Sequence, residues 1–209
     1  MNEAIEWTRI WRENADTAKK RVLLIGDSII DGCKSLVGKA LPKEYTISSY
    51  ATSKGVDSPF LWREVELLAA QEGFDYAAVY FNSGLHFHGQ TPEEYRENYL
   101  RTLRWLQAAV HAPVILGTST PLTCGTGGDP AKHETPVTLK ETNETVVAYN
   151  EQVRSIAAKE GLPVFDAYAL TVEHPEWKSD DGCHFNEEGK QILGKAIAEA
   201  LLPLLCCEE

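Results

Sequence analysis

Five short apolar segments, most of them followed by a pattern typical of a helix, constrain the fold of this chain more than any other feature. They lie at residues 21–25, 45–50, 76–81, 113–116 and 163–166. Apolar runs of this length are typical of buried strands, and strands that alternate with helices form a mostly parallel sheet. The sequence therefore predicts an α/β protein, a doubly wound three-layer α/β/α domain whose sheet has about five strands.

The chain divides into a short amino-terminal segment and one larger unit. Residues 1–20 are predicted to form a helical extension, because Trp7, Ile10 and Trp11 stand among charged residues as on an amphipathic helix. Residues 21–209 are predicted to form a single domain, since they contain no internal repeat or low-complexity tract and are numerous enough to bury a substantial core.

The overall charge limits the partners that the protein can have. The formal net charge is −11 and the isoelectric point is near 5.0, so attraction to nucleic acid or to an anionic membrane surface would have the wrong sign. The segment Met1–Trp7 lacks the basic and apolar parts of a signal peptide. The five cysteines form no CxxC pair, which favours reduced thiols. We expect a cytoplasmic protein with no nucleic-acid or membrane partner; the oligomeric state stays open.

The first candidate functional motif follows the first apolar run. Gly26, Asp27 and Ser28 come directly after it and before a stretch compatible with a helix. Open α/β sheets bind ligands at the carboxyl ends of their strands. A turn there can present a hydroxyl while nearby backbone N–H groups point at the group it attacks. Taken alone, the motif is equally consistent with a serine that caps a helix.

A second motif lies before the last helical pattern. Asp181 and His184 are three residues apart, so a carboxylate can bond one imidazole nitrogen and leave the other free; their spacing favours Asp181 over Asp180. With Ser28 they supply the three roles of acyl transfer. Ser28 would attack, His184 would take its proton, and Asp181 would orient the imidazole. Both motifs follow predicted strands and can share one edge of the sheet.

Together the two motifs resemble those of the SGNH, or GDSL, hydrolases, and the resemblance extends from about residue 21 to residue 204. It implies a flavodoxin-like SGNH hydrolase fold and a catalytic triad of Ser28, Asp181 and His184. It also implies that Ser28 supplies one oxyanion N–H and that a glycine after the second strand supplies another, for which Gly55 is the candidate. No cofactor or metal is needed.

The third motif of that family is altered in this chain. The family pattern after the third strand is Gly-x-Asn-Asp, whereas this chain has Asn82-Ser83-Gly84-Leu85-His86. Gly84 stands where the oxyanion asparagine would be. The side chain of Asn82 is the expected replacement as third oxyanion donor, ahead of a backbone N–H or His86. The resemblance is to a branch of the family that carries this arrangement.

Three residues near these motifs are assigned to substrate binding. They are Asp27, His86 and Trp177. For Asp27, hydrogen bonding to the backbone of its own turn is the alternative. A zinc site that combines His86 and His88 with Asp181 or a cysteine is a further hypothesis, but the scattered spacing is poor for a metal, and no metal is predicted.

The function predicted from these motifs is that of a serine esterase that hydrolyses short-chain, acetyl-type esters of small molecules or carbohydrates. Residues 119–141 are rich in Thr, Gly and Pro, and a long polar loop of this kind favours a small polar ester over a long acyl chain. A lysophospholipase or thioesterase of the same fold is the alternative and would need an apolar trough beside Ser28. A catalytically weak module that binds acylated sugars, and a metal-dependent hydrolase, are the remaining hypotheses.

Overall fold

The computed structural model describes residues 6–14, 19–71, 73, 75–86, 89–123 and 142–205. Its strands are β1 (Thr8–Arg12), β2 (Lys20–Gly26), β3 (Tyr45–Thr52), β4 (Tyr76–Phe81), β5 (Val114–Gly117) and β6 (Val164–Phe165). Its helices are α1 (Ser28–Ala40), α2 (Pro59–Gln71), α3 (Pro92–Val110), α4 (Asn143–Glu160), α5 (Ala167–Thr171) and α6 (Glu187–Leu205). The strands form one sheet in the order β1-β3-β2-β4-β5-β6, and all pairs except β1 with β3 are parallel.

The sheet is covered on both faces, as predicted. Leu23 and Ile25 of β2 belong to a core with the apolar sides of α2, α3 and α4. Val22 and Leu24 point the other way, into a core with α1 and α6. Because successive residues of a strand point to opposite faces, a strand buried on both sides needs an unbroken apolar run. The three-layer α/β/α architecture is therefore confirmed.

The prediction of an amino-terminal helix was wrong. Thr8–Arg12 forms β1, which pairs antiparallel with β3 at the edge of the sheet. Ile10 and Trp11 are both 46% exposed, so the apolar residues of this segment are not the stripe of a docked helix. An isolated helix of this length is marginal in water, whereas pairing satisfies the backbone groups that the edge of β3 would otherwise leave open. The sheet thus has six strands rather than about five.

The direction of β1 places its amino end at the same edge of the sheet as Ser28. Its first residue, Thr8, pairs with Thr52 at the end of β3. The amino end of β1 therefore lies at the edge where the parallel strands end, which we call the carboxyl edge of the sheet. This edge also carries Ser28, which follows β2.

In the described part of the chain, no helix is both long and apolar enough to cross a bilayer.

Candidate active site

The turn after β2 places Ser28 at the first position of α1. Asp27 is the N-cap of this helix, and its Oδ1 accepts the N–H of Ile29 at 2.9 Å. Gly26 allows the tight transition from strand to helix, because a Cβ at this position would collide with the side chain of Ile30. The Ser28 side chain is left half-buried at the carboxyl edge. This is the location predicted for it.

Asp27 joins this turn to the loop after β4. Its Oδ2 accepts the N–H of Leu85 at 2.9 Å, and the residue is only 1% exposed. Gly84 has a φ of +72°, and a Cβ there would lie 2.6 Å from Cβ of Asp27, so glycine is needed on both steric and conformational grounds. Asp27 therefore holds the backbone of two loops. This placement corrects the assignment of Asp27 to substrate binding and agrees with the alternative.

The segment from Lys178 to Phe185 is closed on itself. Its two ends form an antiparallel bridge, and the N–H of Ser179 donates to the carbonyl of His184 at 2.9 Å. Nζ of Lys178 donates to the carbonyl of Cys183 at 2.8 Å and lies 3.8 Å from the centroid of the Phe185 ring. Burial lowers the pKa of Lys178 to about 8. These contacts fix the backbone on either side of His184.

Ser28, His184 and Asp181 form a continuous chain of hydrogen bonds. Oγ of Ser28 lies 2.8 Å from Nε2 of His184, and Nδ1 of His184 lies 2.6 Å from Oδ2 of Asp181. Oδ1 of Asp181 accepts the N–H groups of Cys183 and His184, each at 2.9 Å. Since a carboxylate only accepts, Nδ1 carries the proton and Nε2 is free to accept the serine hydroxyl.

The environment keeps Asp181 ionised. Burial by itself would raise the pKa of this carboxyl, but the hydrogen bonds from the His184 side chain and from the two backbone N–H groups outweigh it and lower the pKa. A carboxylate that accepts several hydrogen bonds is stabilised in its charged form. Asp181 is therefore negative at neutral pH, as the predicted role requires.

Two backbone N–H groups at the carboxyl edge have no acceptor. Within the described ranges, the N–H groups of Ser28 and Gly55 donate to no protein atom. Gly55 is buried and follows β3, the neighbour of β2 in the sheet. Buried backbone donors are almost always paired, so an open donor at Gly55 indicates a place for an acceptor from outside the protein. Both N–H groups are those predicted for the oxyanion.

Asn82 lies beside this region, and both polar atoms of its side chain also bond to the backbone. Its Nδ2 donates to the carbonyl of Gly117 at 3.0 Å, and its Oδ1 accepts the N–H of Gly84 at 2.8 Å. A side-chain amide that is only 7% exposed has to find partners within the protein. Asn82 therefore holds the turn after β4 against β5; since its amide nitrogen carries a second N–H group, its role as the third oxyanion donor stays a prediction.

The other predicted substrate-binding residues lie apart from each other. His86 is half-buried in the loop after β4, and its ring meets that of Trp7 edge to face, with centroids 6.1 Å apart. Trp177 ends a short 3-10 helix (Pro175–Trp177) and stacks on His174, with centroids 3.7 Å apart. Among the described residues, no three His, Cys, Asp or Glu side chains group as metal ligands would. His88, Cys124 and residues 124–141 of the predicted loop lie outside them.

A buried lysine next to Gly55 was not predicted from the sequence. Lys54 is 8% exposed; its Nζ lies 2.9 Å from Oγ1 of Thr8 and 3.3 Å from Oε1 of Glu64. Glu64 also accepts the hydroxyls of Thr8 and Tyr50. These contacts tie the loop that carries Gly55 to β1 and α2. They were missed because they depend on the pairing of β1, which was predicted as a helix. Lys178 was also missed, but its position next to the predicted Asp181–His184 motif is a signal that could have indicated it.

Known proteins share this fold. The model of the GDSL-like lipase/acylhydrolase family matches residues 24–192. An aryl esterase of M. smegmatis has a similar structure, with a TM-score of 0.71 and 16% identity over 89% of this chain and 100% of that one. A lipase/acylhydrolase from Enterococcus faecalis is similar with a TM-score of 0.66 and 19% identity over 91% of this chain and 99% of that one. A carbohydrate acetylesterase from Sinorhizobium meliloti is similar with a TM-score of 0.67 and 17% identity over 89% of this chain and 100% of that one.

Similarity at this level of identity establishes the fold, and the family match establishes membership. No curated protein is close enough in sequence to this chain to count as a match. The matched residues 24–192 make up most of the chain and include both predicted motifs. The chain therefore belongs to the GDSL-like lipase/acylhydrolase family, also called the SGNH hydrolases, and is a serine hydrolase that acts on ester bonds.

Proposed function

We propose that this protein is a serine esterase that removes short acyl groups, of the acetyl type, from small-molecule or carbohydrate esters. The observation that carries the proposal is the unbroken chain from Oγ of Ser28 through His184 to Asp181, with contacts of 2.8 and 2.6 Å. Such a chain joins a nucleophile to a base and the base to the group that orients it.

In the first half of the reaction, Oγ of Ser28 attacks the ester carbonyl and its proton passes to Nε2 of His184. The carbonyl oxygen becomes negative and is held by the N–H groups of Ser28 and Gly55. Asp181 stabilises the imidazolium that forms. His184 then protonates the alcohol oxygen as the bond to the acyl carbon breaks, which leaves the acyl group on Ser28.

In the second half, water takes the place of the alcohol. His184 accepts a proton from the water, whose oxygen attacks the acyl carbon, and the same two N–H groups hold the oxyanion. The proton returns to Oγ of Ser28 as the acid leaves. The mechanism uses side chains and backbone of this chain only, so we propose that it needs neither metal nor cofactor.

Two observations support an acetyl-type substrate. Similar folds occur in proteins described as an aryl esterase and a carbohydrate acetylesterase, which act on small or sugar-linked esters. The site is also reached from the polar carboxyl edge, where the side chains of His184 and Asp181 keep 40% and 29% of their surface exposed. An exposed, polar site suits a short acyl group on a polar alcohol better than a long acyl chain.

The test is hydrolysis of para-nitrophenyl acetate, butyrate and octanoate by the wild type and Ser28→Ala, with and without a chelator. We expect acetate to be the best substrate, the chelator to have no effect, and Ser28→Ala to lower kcat by roughly 10⁶-fold, as for a lost serine nucleophile. Ser35→Ala, further along the same helix, is the matched control and should remain active. Equal activity of Ser28→Ala and wild type would refute the mechanism, and a preference for octanoate would refute the substrate class.

A further inference from the structure

Trp7 is anchored beside the loop that carries Gly55. Its N–H donates to Oγ of Ser53 at 2.9 Å, and its carbonyl accepts the N–H of Ser53 at 3.1 Å and the hydroxyl of Thr52 at 3.0 Å. All of these contacts use the Trp7 backbone. The indole ring is therefore held at the carboxyl edge by the position of β1 and takes no part in the anchoring.

The Trp7 ring reaches across the end of β2. It meets the ring of His86 at a centroid distance of 6.1 Å and an interplanar angle of 79°. His86 belongs to the loop after β4, whereas Trp7 is bound to the loop after β3, and β2 lies between these two strands. Neighbouring strands are about 4.8 Å apart, so β3 and β4 are separated by about 10 Å. The two rings thus bridge the loops on either side of β2, the strand that Ser28 directly follows.

A salt bridge next to the ring links it to the start of α1. The guanidinium of Arg9 lies 5.6 Å from the centroid of the Trp7 ring, and its Nη1 lies 2.6 Å from Oδ2 of Asp31. Asp31 is in the first turn of α1, one turn beyond Ser28. Arg9 therefore connects the Trp7 ring to the start of α1, on the side of Ser28 that faces β1.

His184 approaches Ser28 from the opposite flank. The carbonyl of Gly182 accepts the N–H of Thr123, which follows β5, and α6, which follows His184, packs against α1 through Gly194 and Leu36. Because His184 protonates the leaving alcohol in the proposed mechanism, the alcohol part of the ester lies on the β5 side. The acyl group then extends the other way, toward Trp7 and His86.

We propose that Trp7, together with His86, forms the wall of the acyl pocket and limits the enzyme to short acyl groups, with Trp7 as the specificity-determining residue. This inference rests on the proposed esterase function and adds to it. Two rings that meet beside the nucleophile leave room for an acetyl group but not for a chain of several methylenes. Each methylene admitted to or excluded from an apolar pocket changes kcat/KM by about 10-fold or more.

The experiment compares kcat/KM for para-nitrophenyl acetate, butyrate and hexanoate in the wild type, Trp7→Ala, Trp7→Phe and His86→Ala. We expect the butyrate-to-acetate ratio to rise by about 10-fold, for one methylene newly admitted, up to about 100-fold, for both, in Trp7→Ala and His86→Ala, and Trp7→Phe to stay closer to wild type because it keeps a ring. Trp11→Ala is the matched control: Trp11 lies on the same strand, four residues or about 13 Å further from the carboxyl edge, and its removal should leave the ratio unchanged.

The possible results separate this inference from the function on which it rests. If the wild type hydrolyses acetate, Ser28→Ala does not, and the ratio is the same in Trp7→Ala and His86→Ala as in the wild type, only the wall is refuted. An equal rise in Trp11→Ala would also refute it, because general loosening of β1 would then be the cause. If the wild type hydrolyses none of the esters, the proposed function and the wall are refuted together. The midpoint of thermal unfolding, measured for each variant, establishes that the compared rates come from folded protein.

Discussion

The turn that carries Ser28 is held by residues distant in the chain, whereas the segment that carries His184 is held mainly by hydrogen bonds within itself, with Gly182 as its link to Thr123. Asp27, beside Ser28, is 1% exposed and bonds to Leu85, 58 residues away. Asp181 bonds within three residues to Cys183 and His184 and keeps 29% of its side chain exposed. The first region is part of the core, and the second is a short loop on its surface.

This difference determines what a substitution costs in each region. A change in the serine turn breaks contacts between separate parts of the fold, so it should lower the free energy of unfolding as well as activity. A change in the Asp181–His184 segment breaks mainly contacts between residues close in the chain, so it should lower activity strongly and the free energy of unfolding only modestly. Each prediction below can confirm or contradict this contrast.

The largest effect is expected for Asp181→Asn. The amide keeps an oxygen for the backbone N–H groups but no longer fixes the Nδ1–H tautomer or stabilises the imidazolium, so kcat should fall by about 10⁴-fold. The free energy of unfolding at pH 7 should fall by less than in Asp27→Asn, because the lowered pKa of Asp181 reflects a contribution to stability that partial exposure weakens. Steady-state kinetics and urea denaturation measure the two quantities. Asp180→Asn, which changes the exposed neighbouring carboxylate, serves as control, and a large loss of stability in Asp181→Asn would contradict a self-supporting segment.

The next effect is a loss of stability in Asp27→Asn. The two carboxylate oxygens accept the N–H groups of Ile29 and Leu85, and an amide can accept only one of these bonds while it turns an N–H toward the other. Losing a buried charged acceptor costs about 2–3 kcal/mol in the free energy of unfolding. Urea denaturation measures it, with the exposed Asp75→Asn as control. An unchanged midpoint would show that the turn is not held by Asp27.

The smallest effect is expected for Lys178→Met. The variant loses the hydrogen bond to the Cys183 carbonyl, which lies next to His184, so kcat should fall by about 10-fold, equivalent to about 1.4 kcal/mol. Stability at pH 7 should change by less, because methionine fills the site without the cost of burying a charge. A kcat equal to that of the wild type would show that the segment keeps its geometry without this contact.

The difference in free energy of unfolding between the wild type and Lys178→Met should depend on pH. The pKa of Lys178 in the folded protein is about 8, below the value of about 10.4 for an unfolded lysine. Between these values the unfolded chain binds more protons, so the contribution of Lys178 to stability rises with pH. The wild type should therefore gain free energy of unfolding relative to Lys178→Met as the pH increases from 7 to 9.5. A difference independent of pH would contradict the lowered pKa.

The features that could be predicted from the sequence depend on neighbours in the chain. The buried strands follow from unbroken apolar runs, as in Val22–Ile25, and five of the six strands were found in this way. Ser28 follows its strand directly, and Asp181 and His184 are close enough to bond across one turn. Their meeting with Ser28, over a separation of 156 residues, could be expected only because parallel strands end at a common edge.

The features that could not be predicted depend on contacts between distant segments. β1 is a strand because the edge of β3 is available to it, and its own sequence resembles an amphipathic helix. Asn82 could equally have pointed outward; the carbonyl of Gly117, 35 residues further along, decides that it points into the fold. Asp27 was assigned to substrate for the same reason, since its partner Leu85 is not visible from the local pattern.

The orientation of β1 also places the amino end of the described chain at the edge of the sheet opposite to its carboxyl end. Any polypeptide joined ahead of Trp7 leaves the sheet at the carboxyl edge, next to Gly55 and Ser28. The carboxyl end of α6 lies at the opposite edge, where the carbonyl of Leu205 accepts the hydroxyl of Tyr45, the first residue of β3. A purification tag or fusion partner placed after α6 therefore extends from the edge of the sheet opposite to Ser28.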